Sequence, residues 1–175
     1  YIGDDCSVRL CPKGDDPLTT GQNNRTISIV TGAMEGWLSG HFDFTFNGNT
    51  IGFDANANIF GDEACARTFE ALPGIEEVEC RRGVVSGVGG TEYTITITKF
   101  PTLPMDNNLW NHEGNPDLSV FECTADSITD ATFPTCDIMD VVADNIKEYV
   151  ECSNHGGCNR LTGTCMCERG WKGLA

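Results

Sequence analysis

The chain has 175 residues and a formal net charge of −15. The length suits one domain of ordinary size plus a small module. The charge excludes a nucleic-acid partner, whose phosphates need Lys and Arg, and its spread along the chain is that of a soluble surface. Ten cysteines at their present spacings point to disulfides in a secreted, extracellular protein. No signal peptide is present, and no apolar run approaches about 18 residues, as expected of a mature secreted fragment with no membrane segment.

Residues 1–22 are irregular, because Cys6, Cys11, Pro12, Pro17 and three glycines leave little room for a regular element. Thr26–Thr31 has strand composition. His41–Phe46 alternates, with Phe42, Phe44 and Phe46 on one face; Asn47-Gly48 signals a hairpin, and Ile51, Phe53 and Ala55 continue on the return strand. Asp62 is placed to cap a helix running through Leu72, with Cys65, Phe69 and Leu72 at helical spacing and Pro73-Gly74 ending it. Glu76–Arg82 reads as a strand, and Gly83–Gly90 as a flexible connection. Thr91–Lys99 reads as a strand with Tyr93, Ile95 and Ile97 facing in. A loop over Phe100–Asn115 precedes a strand over Leu118–Cys123. A second helix is predicted from Asp137 to about Tyr149, with Ile138, Val142, Ile146 and Tyr149 as one core-facing stripe and Asp137 and Asp140 at its positive end. The predicted class is α+β and strand-rich: an antiparallel sheet with a packed helix.

The last stretch reads C-SNHGG-C-NRLTGT-C-M-C-ERGWKGLA, with cysteines at 152, 158, 165 and 167. It resembles the EGF-like module, whose second half reads C-x-C-x-x-G-aromatic-x-G-x-x-C. One further cysteine is expected just after Ala175. Tyr1 to Cys6, YIGDDC, supplies the same aromatic-x-G-x-x-C ending, so Tyr1 aligns with Trp171 and Gly3 with Gly173. The expectation is a repeat of about 170 residues, with the EGF-like module split between the chain ends. The stretch GDDCSVRLCPKGDDP over Gly3–Pro17 resembles the segment that follows EGF-like modules in large repetitive extracellular proteins of protists and algae. These include the tubular mastigoneme (flagellar hair) glycoproteins. The expected domains are 1–22 (the end of a preceding module and a Cys-Pro linker), 23–136 (the α+β sheet domain), 137–150 (a connecting helix) and 151–175 (the start of a module).

No catalytic motif stands out. His41, His112 and His155 are far apart, and there is no Gly-x-Ser-x-Gly, HExxH or phosphate loop with its lysine. Ser86–Gly90 superficially resembles a phosphate cradle but lacks the lysine and a following helix. The carboxylate pairs Asp4/Asp5, Asp15/Asp16 and Glu76/Glu77 read as solvated surface, with cation binding at Asp4, Asp5, Asp15 and Asp16 as the alternative. Zinc competes for the cysteines, since His155 lies between Cys152 and Cys158, but C-x5-C-x6-C-x-C is not a zinc-knuckle spacing. Only Glu148 and Glu151 precede Cys152, so the calcium pattern of some EGF-like modules is not met. No enzyme activity and no cofactor are expected.

Seven residues of helix rise about 10 Å and four of strand about 13 Å, which brings Cys65 to the height of Cys80 and predicts that bridge. The EGF-like resemblance implies Cys152–Cys165. Cys158 is expected to bond Cys11 of the next repeat rather than Cys136, leaving Cys123–Cys136 by exclusion. Cys167 is expected to bond the Cys6 equivalent of the next repeat. Asn24-Arg25-Thr26 is an N-glycosylation sequon, and Thr19 and Thr20 beside Pro17 are candidate O-glycan sites. Two function classes follow: a structural repeat of a glycosylated extracellular fibril or hair whose partners are copies of itself, in a continuous chain or as subunits, and an adhesion or ligand-binding ectodomain.

Overall fold

The computed structural model describes residues 7–101 and 114–173. These fall into two compact units. The larger holds 24–99 and 117–143; the smaller holds 7–23, 100–101, 114–116 and 144–173. The elements in chain order are β1 (Lys13–Gly14), β2 (Arg25–Gly32), β3 (Glu35–Phe46), β4 (Asn49–Asp54), α1 (Asp62–Glu70), β5 (Glu77–Arg82), β6 (Glu92–Lys99), β7 (Phe121–Thr124), β8 (Ile128–Thr132), β9 (Thr135–Val142), β10 (Val150–Glu151), β11 (Gly156–Asn159) and β12 (Thr164–Cys167).

The larger unit has two antiparallel sheets where one was expected. Their orders are β5-β6-β2-β9 and β4-β3-β7, with β8 also paired to β3. The long strand β3 organises the second sheet. Its Asp43–Phe46 half carries β4 on one edge and β7 on the other, and its Glu35–Gly40 half carries β8. The alternation at Phe42, Phe44 and Phe46 turns three rings to the interior, each at most 1% exposed. Phe42 pairs with Phe53 across the ladder. Phe44 meets Phe69 of α1 edge-on at 4.8 Å, and Phe46 stacks on Phe121 at 4.9 Å. Tyr93, from the other sheet, stands edge-on to Phe53 and Phe60. Ile27, Ile29, Ile95 and Ile97 complete the packing. Each fully buried aliphatic or aromatic side chain contributes about 1.5–3 kcal/mol through removal of apolar surface from water.

Two bridges brace this unit. Cys65–Cys80 fastens α1 to β5 and Cys123–Cys136 fastens β7 to β9. Arg25, on β2, is buried at 3% exposure; its guanidinium meets Asp140 at 2.6 Å and lies over the Phe121 ring. The Gly83–Gly90 stretch is pinned rather than flexible: Leu38 N–H donates to Val88 O and Ala57 N–H to Gly89 O, both at 2.9 Å. A Cβ on Gly90 would stand 2.4 Å from Thr31 O, so only glycine permits this approach.

Three expectations are corrected here. No helix forms over 137–150; Thr135–Val142 is strand β9, paired with β2. Ile138 and Val142 are four apart, a spacing that fits one face of a helix and one face of a strand equally. β-Branched Thr135, Ile138, Val141 and Val142 and an open edge on β2 settle it as strand. The helix α1 is preceded by Gly61 and ends at Glu70, and Asp62 accepts from Arg82 N–H at 2.8 Å instead of capping. Leu118–Val120 is a 3-10 turn, so β7 begins at Phe121. Most of the Phe100–Asn115 loop, including His112, lies outside the described residues.

The Phe44→Ala variant should lose about 3–5 kcal/mol of stability in denaturant unfolding, because Phe44 is 0% exposed and touches both α1 and β7. Val84→Ala, at a side chain 94% exposed, should stay within about 0.5 kcal/mol of wild type.

Candidate functional site

The smaller unit brings the N-terminal segment onto the C-terminal one. β1 pairs antiparallel with β10, Lys13 opposite Glu151 and Gly14 opposite Val150. Cys152 N–H donates to Pro12 O at 2.9 Å, and Arg9 N–H to Arg160 O at 3.1 Å. β11 and β12 form a hairpin, Cys158 opposite Cys165. Its turn closes on Asn159, whose carbonyl accepts from Gly163 N–H at 2.7 Å. Gly163 takes φ 72°, a left-handed conformation natural to glycine.

Two bridges lock the arrangement, Cys152–Cys165 and Cys11–Cys158. Cys158 therefore closes on Cys11 of its own chain, not on the Cys11 of a following repeat. β1–β10 pairing already carries Cys11 there, so the bridge spans 147 positions of sequence with Cα atoms 5.7 Å apart. The sulfurs of Cys11, Cys152 and Cys165 lie within 4.8 Å of one another because the bridges stack. A bridged sulfur offers no thiolate to zinc. Cys167 is exposed and carries no bridge among the described residues; Cys6 lies outside them.

The carboxylates of the CPKGDDP segment are fasteners rather than solvated surface. Asp16 is 8% exposed. Its Oδ1 accepts from Leu18 N–H and lies 2.9 Å from His155 Nε2, while its Oδ2 accepts from Asn154 Nδ2 at 3.0 Å. The Asn154 hydrogen bond, followed by that from Leu18, holds the Asp16 pKa below the ordinary aspartate value. The His155 ring stacks on Trp171, centroids 3.8 Å apart at 11°. Asp15 Oδ1 accepts from Glu148 N–H at 2.8 Å and from Gln22 Nε2 at 3.0 Å. Burial, then the hydrogen bond with the Glu148 carboxyl, raises the Asp15 pKa to about 6. Glu148 moves the other way, lowered first by Asp15 and then by Thr19, whose hydroxyl is 2.8 Å from Glu148 Oε2. Glu151, the second acidic residue before Cys152, pairs with Arg160 at 2.7 Å. Asp4 and Asp5 lie outside the described residues.

Beside these groups an open cleft of about 260 Å³ is lined by Asp15, Pro17, Cys152, His155, Cys167 and Trp171, among others. The chemistry of the whole arrangement is attachment: backbone pairing, two bridges and two carboxylate clusters. Sequence reasoning missed both clusters. Asp16-Pro17 was a usable signal, since Asp commonly accepts from the amide two residues on, as Asp16 does from Leu18. Among the other candidates, Asn24 and Thr20 are exposed, Thr19 belongs to the Glu148 cluster, and His41 sits on β3, 3.6 Å from Asp43.

Residues 147–175 match the family model of the EGF-like domain. No curated protein and no solved structure matches the chain. The EGF-like match and the four disulfides suggest an extracellular or ligand-binding protein. Among the described residues no helix is long and apolar enough to cross a membrane.

A depressed pKa means that Asp16 contributes stability above the ordinary aspartate value, which is lost as pH falls through the lowered folded value. Asp16→Asn should flatten that acid limb. At neutral pH it should speed hydrogen exchange of the Leu18 amide on the order of tenfold, read by NMR.

Proposed function

We propose that the chain is one structural repeat of a secreted, glycosylated extracellular fibril or hair of the tubular mastigoneme kind. Successive copies join head to tail through EGF-like modules completed across the repeat boundary. The observation that carries this reading is the make-up of the smaller unit. Residues 7–23 and 144–173 share it, and within it Cys167 is exposed and without a bridge among the described residues. A copy that receives the preceding repeat and passes to the next one does both at this unit. Cys167 bonds the Cys6 equivalent of the following copy, and a head-to-tail contact that does not close into a ring propagates as a fibre. The repeat's work is mechanical and not catalytic. Its partners are copies of itself and the sugars it carries, with Asn24 bearing an N-glycan and, of the two exposed threonines, Thr20 better suited to an O-glycan than Thr19, whose hydroxyl is engaged by Asp16 O and Glu148. The open cleft beside Trp171 supports a second reading, a ligand-binding or adhesion ectodomain.

Electron microscopy of the native material should show thin fibrils with a regular axial repeat; dispersed particles support the ectodomain. Non-reducing peptide mapping should link Cys167 to the cysteine equivalent to Cys6 in the next repeat. A Cys6–Cys167 bond inside an isolated monomer overturns the fibril reading. Mass spectrometry should find Asn24 glycosylated, and only bare Asn24 removes the sugar from the proposal.

A further inference from the structure

We infer that Asp15 and Glu148 form a proton-operated clasp between the N-terminal segment and the stretch entering the EGF-like module, tight in mildly acidic medium and looser near neutrality. The inference does not rest on the fibril reading. It starts from geometry. Asp15 follows β1 directly, and Glu148 lies two residues before β10, the strand that β1 pairs with. That ladder is only two residues long on each side, so side chains must reinforce it. Asp15 Oδ1 takes Glu148 N–H and Gln22 Nε2; Glu148 Oε2 takes Gln22 Nε2 at 3.1 Å and Thr19 Oγ1. The two carboxyl groups are thus held together by one shared donor, Gln22, and they hydrogen-bond each other only when one keeps a proton.

The charged groups on the elements packed around the pair are Lys13 on β1, Asp16 with His155, Lys147 beside Glu148, the Glu151–Arg160 ion pair, and Lys172 at the cleft. The Glu148 N–H bond and, less strongly, Lys147 draw the Asp15 pKa down, yet burial and the Glu148 carboxyl outweigh them and the net shift is upward to about 6. A folded-state pKa above the unfolded one means stability that is complete below the unfolded value and lost as pH rises through the folded one. For Asp15 the window runs from about 4 to about 6. Glu148 and Asp16, both lowered, act oppositely and weaken the clasp only as pH falls below the ordinary carboxylate range. The clasp is therefore tightest in mild acid, where Asp15 is protonated and its neighbours are ionised.

The test uses the full chain. Carbon-13 NMR of the carboxyl groups should show Asp15 titrating near 6, with its midpoint falling toward the ordinary value in Glu148→Gln. The exchange protection of the Cys152 amide, which donates to Pro12 O at this junction, should drop on the order of tenfold between about pH 4.5 and about pH 7, the direction that linkage sets. Asp15→Asn keeps the acceptor and supplies a permanent donor, so its protection at neutral pH should match that of wild type in acid. An Asp15 midpoint in the ordinary aspartate range, unchanged protection in wild type, or an Asp15→Asn chain that loses protection as wild type does overturns the inference. Should Asp15→Asn fail to fold, the wild-type and Glu148→Gln titrations decide alone.

Discussion

The covalent tie between Cys11 and Cys158 is the constraint on which the smaller unit depends. Around it the backbone offers little: a two-residue ladder between β1 and β10 and a four-residue hairpin of β11 with β12. So small a structure buries too little apolar surface to hold two distant segments together by itself. Closing a loop of 147 positions removes unfolded-state freedom worth roughly 5 kcal/mol in the chain-entropy picture, less whatever the folded larger unit has already removed. Once the bridge is in place, the neighbouring donors and acceptors find their partners at high effective concentration. Asp16 reaches Asn154 and His155, Asp15 reaches Glu148, and His155 stacks on Trp171.

The larger unit solves the opposite problem. It has apolar side chains enough, and its order comes from strand alternation that turns Phe42, Phe44 and Phe46 from one sheet and Tyr93, Ile95 and Ile97 from the other into a single interior. The helix α1 contributes Phe69 to that interior and is held to β5 by Cys65–Cys80. Ring contacts from β3, β4, β6, β7 and α1 converge there, so this unit has packing beside its two bridges, whereas the smaller one depends on its bonds.

Much of this was legible in the residues. Alternating rings at 42, 44 and 46 and the Tyr93–Ile97 pattern marked two strands and their inward faces, because a period of two admits no other regular element. The Cys65–Cys80 pairing followed from helix and strand rise. What was hidden has a physical cause in each case. Residues 138 and 142 satisfy the helix and strand periods together, and only the open edge of β2 decides between them. The partition into units was hidden too, since the smaller one is assembled from three stretches of chain. Asp15 and Glu148 stand 133 positions apart, and no local pattern in a single sequence announces such a contact. The cysteine spacing at the end of the chain pointed to the EGF-like domain, but Cys158 was expected to bond Cys11 of the next repeat, and its partner is Cys11 of the same chain.

The same bridge also redirects mechanical load. Tension entering upstream of Cys11 and leaving downstream of Cys158 crosses from one to the other through two sulfur atoms. Everything between them, including both sheets, α1 and the Cys65–Cys80 and Cys123–Cys136 bridges, hangs off that path as a side branch, which Cys152–Cys165 ties once more to the outgoing strand. The load then runs through the segment before Cys11 and the stretch after Cys158, and the Arg9–Arg160 hydrogen bond and the hairpin of β11 with β12 are what a pull must shear or peel. A chain wired in this way stretches little before its covalent backbone is taut, and its folded interior is spared the force.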